Sequence, residues 1–510
     1  MSLHQGPSEF VTVGNNGKRF ERNGAPYRFV GTTLWYGAHL AMEGAAGDRM
    51  RLSRELDQLQ KLGVRNVRVL ASSEGDASIP YHVLPAMTPS AGVYDRLVLE
   101  GLDYLLGELA QRDMLAIMVL TNGLPWSGGL AQYVAWATDT RSPFSMRNTD
   151  WDAYYSYVAH FFKLEEAMVL FDDFVRMLVG RVNSVTGVTY ANDQTIMAWE
   201  IANEPRGGKG VVPEYQPWLT RVARLIKSLD ANHLVALGSD GTGGGQPFRL
   251  EHEVDGIDYT SIHLWPEKWS WHKNSGEPTH EGLQNVIDRM QSYVSSHLQW
   301  SEGMHKPMVI EAFGMSRDSE WDVQGATAQR DAFFRAVFAK AQEYVDGGRP
   351  LGGVSFWGWA GEGRAATRED GLGWRQGDPF VGDAPSEPQG ARVPFRTASC
   401  LLEHSFSTAC RTPCRQILHL QHRHEYVRGY QRVCPRAEYG MSSSVPDAGG
   451  AARSADVVVE HSRCISLRVS NTVRSKRLDS LETERDPLPL QCRRARGIVL
   501  YIGTQRQAAR

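Results

Sequence analysis

No cysteine precedes Cys400 and no tryptophan follows Trp374. All six cysteines (Cys400, Cys410, Cys414, Cys434, Cys464 and Cys492) thus lie near the end of a 510-residue chain, and a disulfide framework could only be sought there. No apolar run reaches 18 residues, which argues against a transmembrane helix. The opening Met1-Ser-Leu-His-Gln-Gly-Pro-Ser8 has neither a basic start nor an apolar stretch of signal-peptide length. The chain as written is therefore expected to be soluble and not self-exporting. Gly241-Thr-Gly-Gly-Gly245 lacks both the Gly-Lys-Ser/Thr ending of a phosphate loop and GxGxxG spacing. It reads as a flexible loop, and no nucleotide site is supported.

Charge is unevenly spread. The chain is 42% hydrophobic with net charge -3, as in an ordinary globular protein, yet 20 of its 55 Lys and Arg and only 10 of its 58 Asp and Glu follow Gly390. Residues 1–390 carry -13 and residues 391–510 carry +10. An even cysteine count allows a disulfide-stapled accessory domain, but no strand or helix period accompanies it. Binding to nucleic acid or an anionic surface is a second reading; the arginines, however, are scattered among Glu, Asp and Pro. The favoured reading is that 391–510 is not an evolved domain, as after a shifted reading frame, and poor order is expected beyond Gly390.

Before Gly390 the patterning is regular. Phe10 to Gly24 alternates around Asn-Gly turns and predicts a short β-hairpin plugging the bottom of a larger fold. Eight short apolar runs predict strands near Arg28 to Gly31, Asn66 to Leu70, Leu115 to Leu120, Thr195 to Ile201, Leu234 to Leu237, Tyr259 to His263, Met308 to Glu311 and Gly353 to Trp357. Between them, three- and four-residue apolar spacing predicts helices over Asp48 to Leu62, Tyr94 to Arg112, Glu165 to Asn183, Glu214 to Asp230, His280 to Trp300 and Ala326 to Asp346. Strands alternating with helices specify a parallel sheet. Eight of them over this length predict an α/β fold, a closed (β/α)8 TIM barrel, spanning residues 1–390.

Two strand ends carry acids. In Trp199-Glu-Ile-Ala-Asn-Glu-Pro205 an apolar strand runs into Asn203-Glu204 and is stopped by proline; in Met308-Val-Ile-Glu-Ala-Phe-Gly314, Glu311 closes a similar run. A carboxylate beside an apolar strand costs several kcal/mol unless it is hydrogen-bonded or functional. In a barrel the C-terminal strand ends share one mouth, so other residues expected there are Trp35, Arg68, Asn122, Trp126, His263, Trp265, Trp357 and Trp359. Two carboxyls held in different proton states are the minimum machinery for cleaving a glycosidic bond. Glu311 is expected to be the nucleophile, kept ionised by Arg68 through charge and hydrogen bonding. Glu204 would be the acid and then the base, about 5–5.5 Å away as in retaining enzymes. Asn203 suits the sugar 2-hydroxyl. Trp35, Trp126, Trp265, Trp269, Trp271, Trp357 and Trp359 are candidate stacking platforms, two or three of which are expected to be core.

Taken together, WEIANEP, VIEAFG, NVRV with Arg68, IHLWPEKW with His263 and FWGW with Trp357 resemble glycoside hydrolase family 5, most closely its mannan-degrading branch. The resemblance covers Phe10 to Gly390. It implies a retaining β-1,4-mannosidic hydrolase without metal or cofactor, Glu204 as acid/base, Glu311 as nucleophile, and Arg68, Asn203, His263 and Trp357 around the reacting sugar. Endo action is expected, with an exo-β-mannosidase as the near alternative. Outside this class stand a non-catalytic carbohydrate-binding barrel and, more remotely, a metabolic barrel enzyme, whose phosphate-gripping loop is not visible. The expected partner is a β-mannan or manno-oligosaccharide, with no nucleic acid and no membrane, and the expected state is a monomer. The resemblance suggests a secreted or periplasmic location. Trp265 stands where many mannanases have a tyrosine that bonds the nucleophile. After Gly390 the family's last helix is not recognisable, which would leave apolar surface on the first and eighth strands uncovered.

Overall fold

The computed structural model describes residues 9–389 except 45, 79–81, 145–148, 208–212, 272–279, 319–324, 367–372 and 388. By compactness the chain divides into 1–420 and 421–510, and all the described residues belong to the first unit. The segment beyond Gly390, and the order expected of it, lie outside the described residues.

Three short antiparallel strands come first: β1 (Thr12–Gly14), β2 (Arg19–Arg22) and β3 (Ala25–Tyr27). The expected hairpin is therefore extended by a third strand. Arg22 pairs with Ala25 across Asn23 and Gly24, whose φ values of 54° and 74° are those of a two-residue primed turn. The expected plug is found. Phe20 is fully buried with its ring edge-on to Tyr259 at 5.3 Å, in a cluster with Leu115, Met197 and Val309. A side chain at Gly352 would collide with that ring, so the eighth barrel strand keeps a glycine there.

The barrel itself has eight parallel strands: β4 (Phe29–Thr33), β5 (Val64–Leu70), β6 (Leu115–Val119), β7 (Ile196–Glu200), β8 (Leu234–Ala236), β9 (Thr260–Leu264), β10 (Met308–Phe313) and β11 (Leu351–Phe356). Their spatial order, β8-β7-β6-β5-β4-β11-β10-β9, is that of a nearly closed (β/α)8 barrel. Between β8 and β9 single bonds replace a ladder. Asp258 gives its N–H to the Val235 carbonyl (2.8 Å) and takes the Val235 N–H on its carboxylate (2.7 Å). At the other end the His263 N–H reaches the Asp240 carbonyl (3.3 Å). The β8 strand is short because Gly238 turns out of it at φ 83°, where a Cβ would strike both the Ala202 carbonyl and the Glu200 carboxylate.

Ten helices stand among the described residues: α1 (Gly37–Leu40), α2 (Arg49–Lys61), α3 (Arg96–Ala110), α4 (Gly129–Thr138), α5 (Trp151–Val158), α6 (Glu165–Val179), α7 (Tyr215–Leu229), α8 (Gly245–His252), α9 (His280–Gly303) and α10 (Ala328–Asp346). The six long ones are those that the periodicity predicts. Asp48 and Asp95 cap α2 and α3 by accepting first-turn N–H groups. On α7 the buried Trp218, Leu219, Val222, Ala223 and Ile226 form one face. Beyond that helix Asp230 accepts the Trp199 indole N–H (2.7 Å) and the His233 ring N–H (2.5 Å), which ties β7 to the turn before β8. The helices α1, α4, α5 and α8 carry no clear sequence signal; they are short or sit in insertions. Strands β4 and β11 are buried throughout, so the uncovered apolar surface expected there is not found. Past β11 the Trp35 indole donates to the Gly382 carbonyl (3.0 Å) and Arg51 to the Phe380 carbonyl (2.7 Å), pinning this loop over the barrel end.

Phe20→Ala should cost about 3–5 kcal/mol through cavity formation. It should appear as a lower denaturant midpoint and, because the ring also seats Tyr259, as a lowered kcat.

Candidate active site

Arg68 on β5 and Glu200, the last residue of β7, both point into the barrel and are almost wholly buried, at 2% and 0% exposure. They pair fork to fork: Nε donates to Oε2 (2.7 Å) and Nη2 to Oε1. Burial alone would disfavour the guanidinium charge, but Glu200, with Glu311 and Glu204 further off, keeps it firmly protonated. Nη2 also donates to Asn203 Oδ1 (2.9 Å). The Asn203 amide passes a hydrogen on to Asn122 Oδ1 (3.0 Å), and Asn122 in turn donates to Ser127 (3.0 Å). Asn203 therefore has one orientation. Two expectations are corrected here. The hydrogen bonds of Arg68 go to Glu200 and Asn203 rather than to Glu311, which feels its charge only. Asn122 is fully buried, with its amide engaged in holding Asn203 and the Leu124 N–H, and so supports the site instead of lining it.

Glu204 follows at φ 45°, a left-handed conformation that costs a non-glycine residue on the order of 1 kcal/mol or more. Its neighbours enforce it. The Glu204 N–H is bonded to the Gly238 carbonyl (2.8 Å), the Asn203 N–H to Thr121 (2.9 Å) and the Gly123 N–H to Asn203 (2.7 Å). Gly123 lies so close that a Cβ would stand 2.0 Å from the Glu204 carbonyl oxygen. The carboxylate accepts from His263 Nδ1 (2.8 Å) and the Trp265 indole (2.9 Å) on Oε1, and from Arg206 (3.1 Å) on Oε2. Burial works against its charge, but His263 and Arg206 outweigh that and hold the carboxyl well below the usual range.

Glu311 sits on β10, fully buried. Tyr259, which immediately precedes β9 and rests on Phe20, donates to Oε1 (3.2 Å); Oε2 has no hydrogen bond among the described residues. Burial first, and the Glu200 charge second, push its pKa up to about 8 against the pull of Arg68. Of the two carboxyls, Glu311 is therefore the one whose protonated form its surroundings favour. That is the reverse of the expected ionisation, and its reason is that Arg68 is already neutralised by Glu200.

Residues 8–404 match the family model described as glycoside hydrolase family 5 beta-mannosidase-like, well over half of the chain. The chain belongs to glycoside hydrolase family 5. Mannan endo-1,4-beta-mannosidase 5 of Solanum lycopersicum is 30% identical over 366 residues, 68% of this chain and 80% of that protein. A glycoside hydrolase family 5 mannosidase from Rhizomucor miehei superposes with TM-score 0.72 at 31% identity, covering 78% of this chain and 96% of that one. The endo-1,4-beta-mannanase from the same organism gives TM-score 0.51 at 25% identity, with 69% and 91% covered.

The aromatic residues of this family 5 chain divide into two groups. Trp35 is fully buried among Tyr36, Trp126, Trp374 and Phe380, so its expected place as a platform is corrected to core. From it the indoles continue edge to face, Trp126 to Trp357 at 6.0 Å and Trp357 to Trp265 at 6.0 Å, with 4–6% of each exposed. Of these three, Trp265 touches an acid, through its bond to Glu204. Trp359 is 3% exposed, its carbonyl held by Tyr36. Trp269 and Trp271 pack edge to face with each other, and both lie against Tyr293, half-buried at the rim. Sequence reasoning missed Glu200, Tyr259, Arg206 and Asp240, which accepts from Arg206. A signal existed for Glu200 alone: an acid inside an all-apolar strand, in a barrel with a buried strand arginine.

If Glu200 places the proton, kcat/KM on an aryl glycoside should fall on the alkaline side near pH 8. Glu200→Gln should move that limb down by about 1 to 3 units, since Arg68 then acts on Glu311 unshared. An unmoved limb would show that Glu200 does not set the protonation of Glu311.

Proposed function

We propose that this chain hydrolyses β-1,4-mannosidic linkages with retention, using Glu204 as acid/base and Glu311 as nucleophile. The observation that carries the assignment is the contrast between two buried strand-end glutamates. One is gripped on both oxygens by hydrogen-bond donors. The other is held on Oε1 by Tyr259 and has a bare Oε2, as an attacking oxygen must.

Double displacement needs the proton on Glu204 and the charge on Glu311. The surroundings of the two carboxyls favour the opposite arrangement, with the charge on Glu204 and one proton on Glu311. Entry of substrate therefore calls for a redistribution of that proton, with no uptake or release. A leaving-group oxygen near Glu204 favours its protonated form, which can donate to it, and an anomeric carbon gaining positive charge favours ionised Glu311. Attack by Oε2 gives the covalent glycosyl-enzyme, and Glu204, now basic, takes a proton from water for the second step. Asn203, fixed by Arg68 and Asn122, is placed for the 2-hydroxyl. Buried His263 Nε2, without a partner among the described residues, is a further donor or acceptor for the sugar.

Endo action on mannan is our first reading, supported by the names of the similar curated proteins. Exo action is the second, favoured by the better superposition on the mannosidase and by the loop around Phe380 and Gly382 packed on Trp35 and Arg51. Action as a monomer, in a secreted or periplasmic location, completes the proposal.

Glu311→Ala is expected to abolish turnover, and substantial residual activity would remove the nucleophile assignment. Glu204→Ala should lose far more activity on mannobiose than on an aryl mannoside with a good leaving group, whereas equal losses would rule out the acid role. Early products from mannohexaose separate the two modes: mannose plus pentaose means exo, and a spread of di-, tri- and tetrasaccharides means endo.

A further inference from the structure

A cavity of about 440 Å³, lined by none of the acid-site side chains, lies against the loop that carries Trp126. Its volume is in the range of small-molecule sites, roughly 300–1,000 Å³. Pro125 and Gly128 form one wall, and this wall is rigid. Gly128 has no room for a Cβ, which would stand 1.9 Å from the Glu74 carbonyl oxygen; the Gly129 N–H is bonded to the Glu74 carboxylate (2.9 Å), and Ser127 is held by Asn122. The opposite wall comes from α4 and the segment after it. There the half-buried Trp136 stands beside Gln132, followed by Arg141 and Ser142.

Three features point to a ligand. The Ser142 hydroxyl is buried and has no hydrogen-bond partner among the described residues, a state that native proteins seldom leave unfilled. Gln132 and Arg141 reach the same space without a hydrogen bond among the described residues. Asp76 and Asp139 also line the cavity and offset the Arg141 charge, so neither a phosphorylated nor a polybasic ligand suits it. An indole beside amide, guanidinium, carboxylate and hydroxyl groups matches a neutral ring with an apolar C–H side and a hydroxylated edge.

We propose that this cavity is a second carbohydrate site, taking one hexopyranosyl unit of a neutral polysaccharide against the Trp126 loop. The inference rests on the proposed glycosidase activity for the identity of the polysaccharide. The unit belongs either to the chain being cleaved or to a branch or neighbouring chain.

Trp136→Ala and Arg141→Ala in the full chain test this. Arg141 is exposed, so the second variant keeps the test valid if the first fails to fold. If the unit belongs to the cleaved chain, kcat/KM for mannohexaose falls several-fold in both variants while that for an aryl β-mannoside stays unchanged. If it belongs to a branch or neighbour, hexaose kinetics are unchanged and retention on insoluble galactomannan falls. Unchanged hexaose kinetics together with unchanged retention would overturn the proposal, as would an equal loss on every substrate in Arg141→Ala. Should the unaltered protein hydrolyse no mannoside, the activity reading fails by itself, and retention on a panel of insoluble neutral polysaccharides still decides the cavity.

Discussion

Inside the barrel mouth the guanidinium of Arg68 is paired with the carboxylate of Glu200, and this pairing bears on how Glu311 ionises. A buried ion pair contributes little net stability, because desolvating two charges offsets their attraction, but removing one partner strands the other. Here the pair instead fixes the surroundings of the acids. With the Arg68 charge already matched, Glu311 has no cation of its own and retains a proton. The same guanidinium also sets the amide of Asn203, so a single side chain acts on both Glu311 and Asn203.

The backbone supplies what the charges cannot. Glu204 is presented by a strand extension clamped between Gly123 on one side and Gly238 on the other, each a glycine because a carbonyl oxygen occupies the place of its Cβ. The short β8 and its open seam with β9 follow from the same turn. Were β8 to run on as a regular strand, the space at Gly238 that admits the Glu200 carboxylate would be closed. The weakest edge of the barrel is thus the one next to the acid, and Asp258 and His263 bridge it with single bonds.

Much of this is legible in the chain. The alternation of apolar runs and helical periods specifies the barrel, and proline or glycine after each acid marks Glu204 and Glu311 as strand-end groups. What is not legible depends on register across the barrel. Arg68 pairs in the sheet with Ile117, and Glu200 with Val119 two residues further along, so only the stagger of β5, β6 and β7 brings guanidinium and carboxylate together. A one-dimensional pattern gives each residue a face but no neighbour. The same limit explains Trp35 and Asn122: both stand after strands at the mouth, but whether a side chain turns to the opening or under a loop is decided by segments distant in the chain, such as Gly382 for Trp35.

Trp265 shows how a departure from the family pattern is absorbed. An indole has one donor, and here it goes to Glu204 Oε1, so no hydrogen bond from that position reaches Glu311. Tyr259, four residues before His263, supplies one instead from the bottom of the barrel, through a side chain seated on Phe20. A donor from below holds Oε1 and leaves Oε2 without a hydrogen bond among the described residues. The N-terminal plug therefore reaches the acid site: Phe20 seats Tyr259, and Tyr259 bonds Glu311 Oε1.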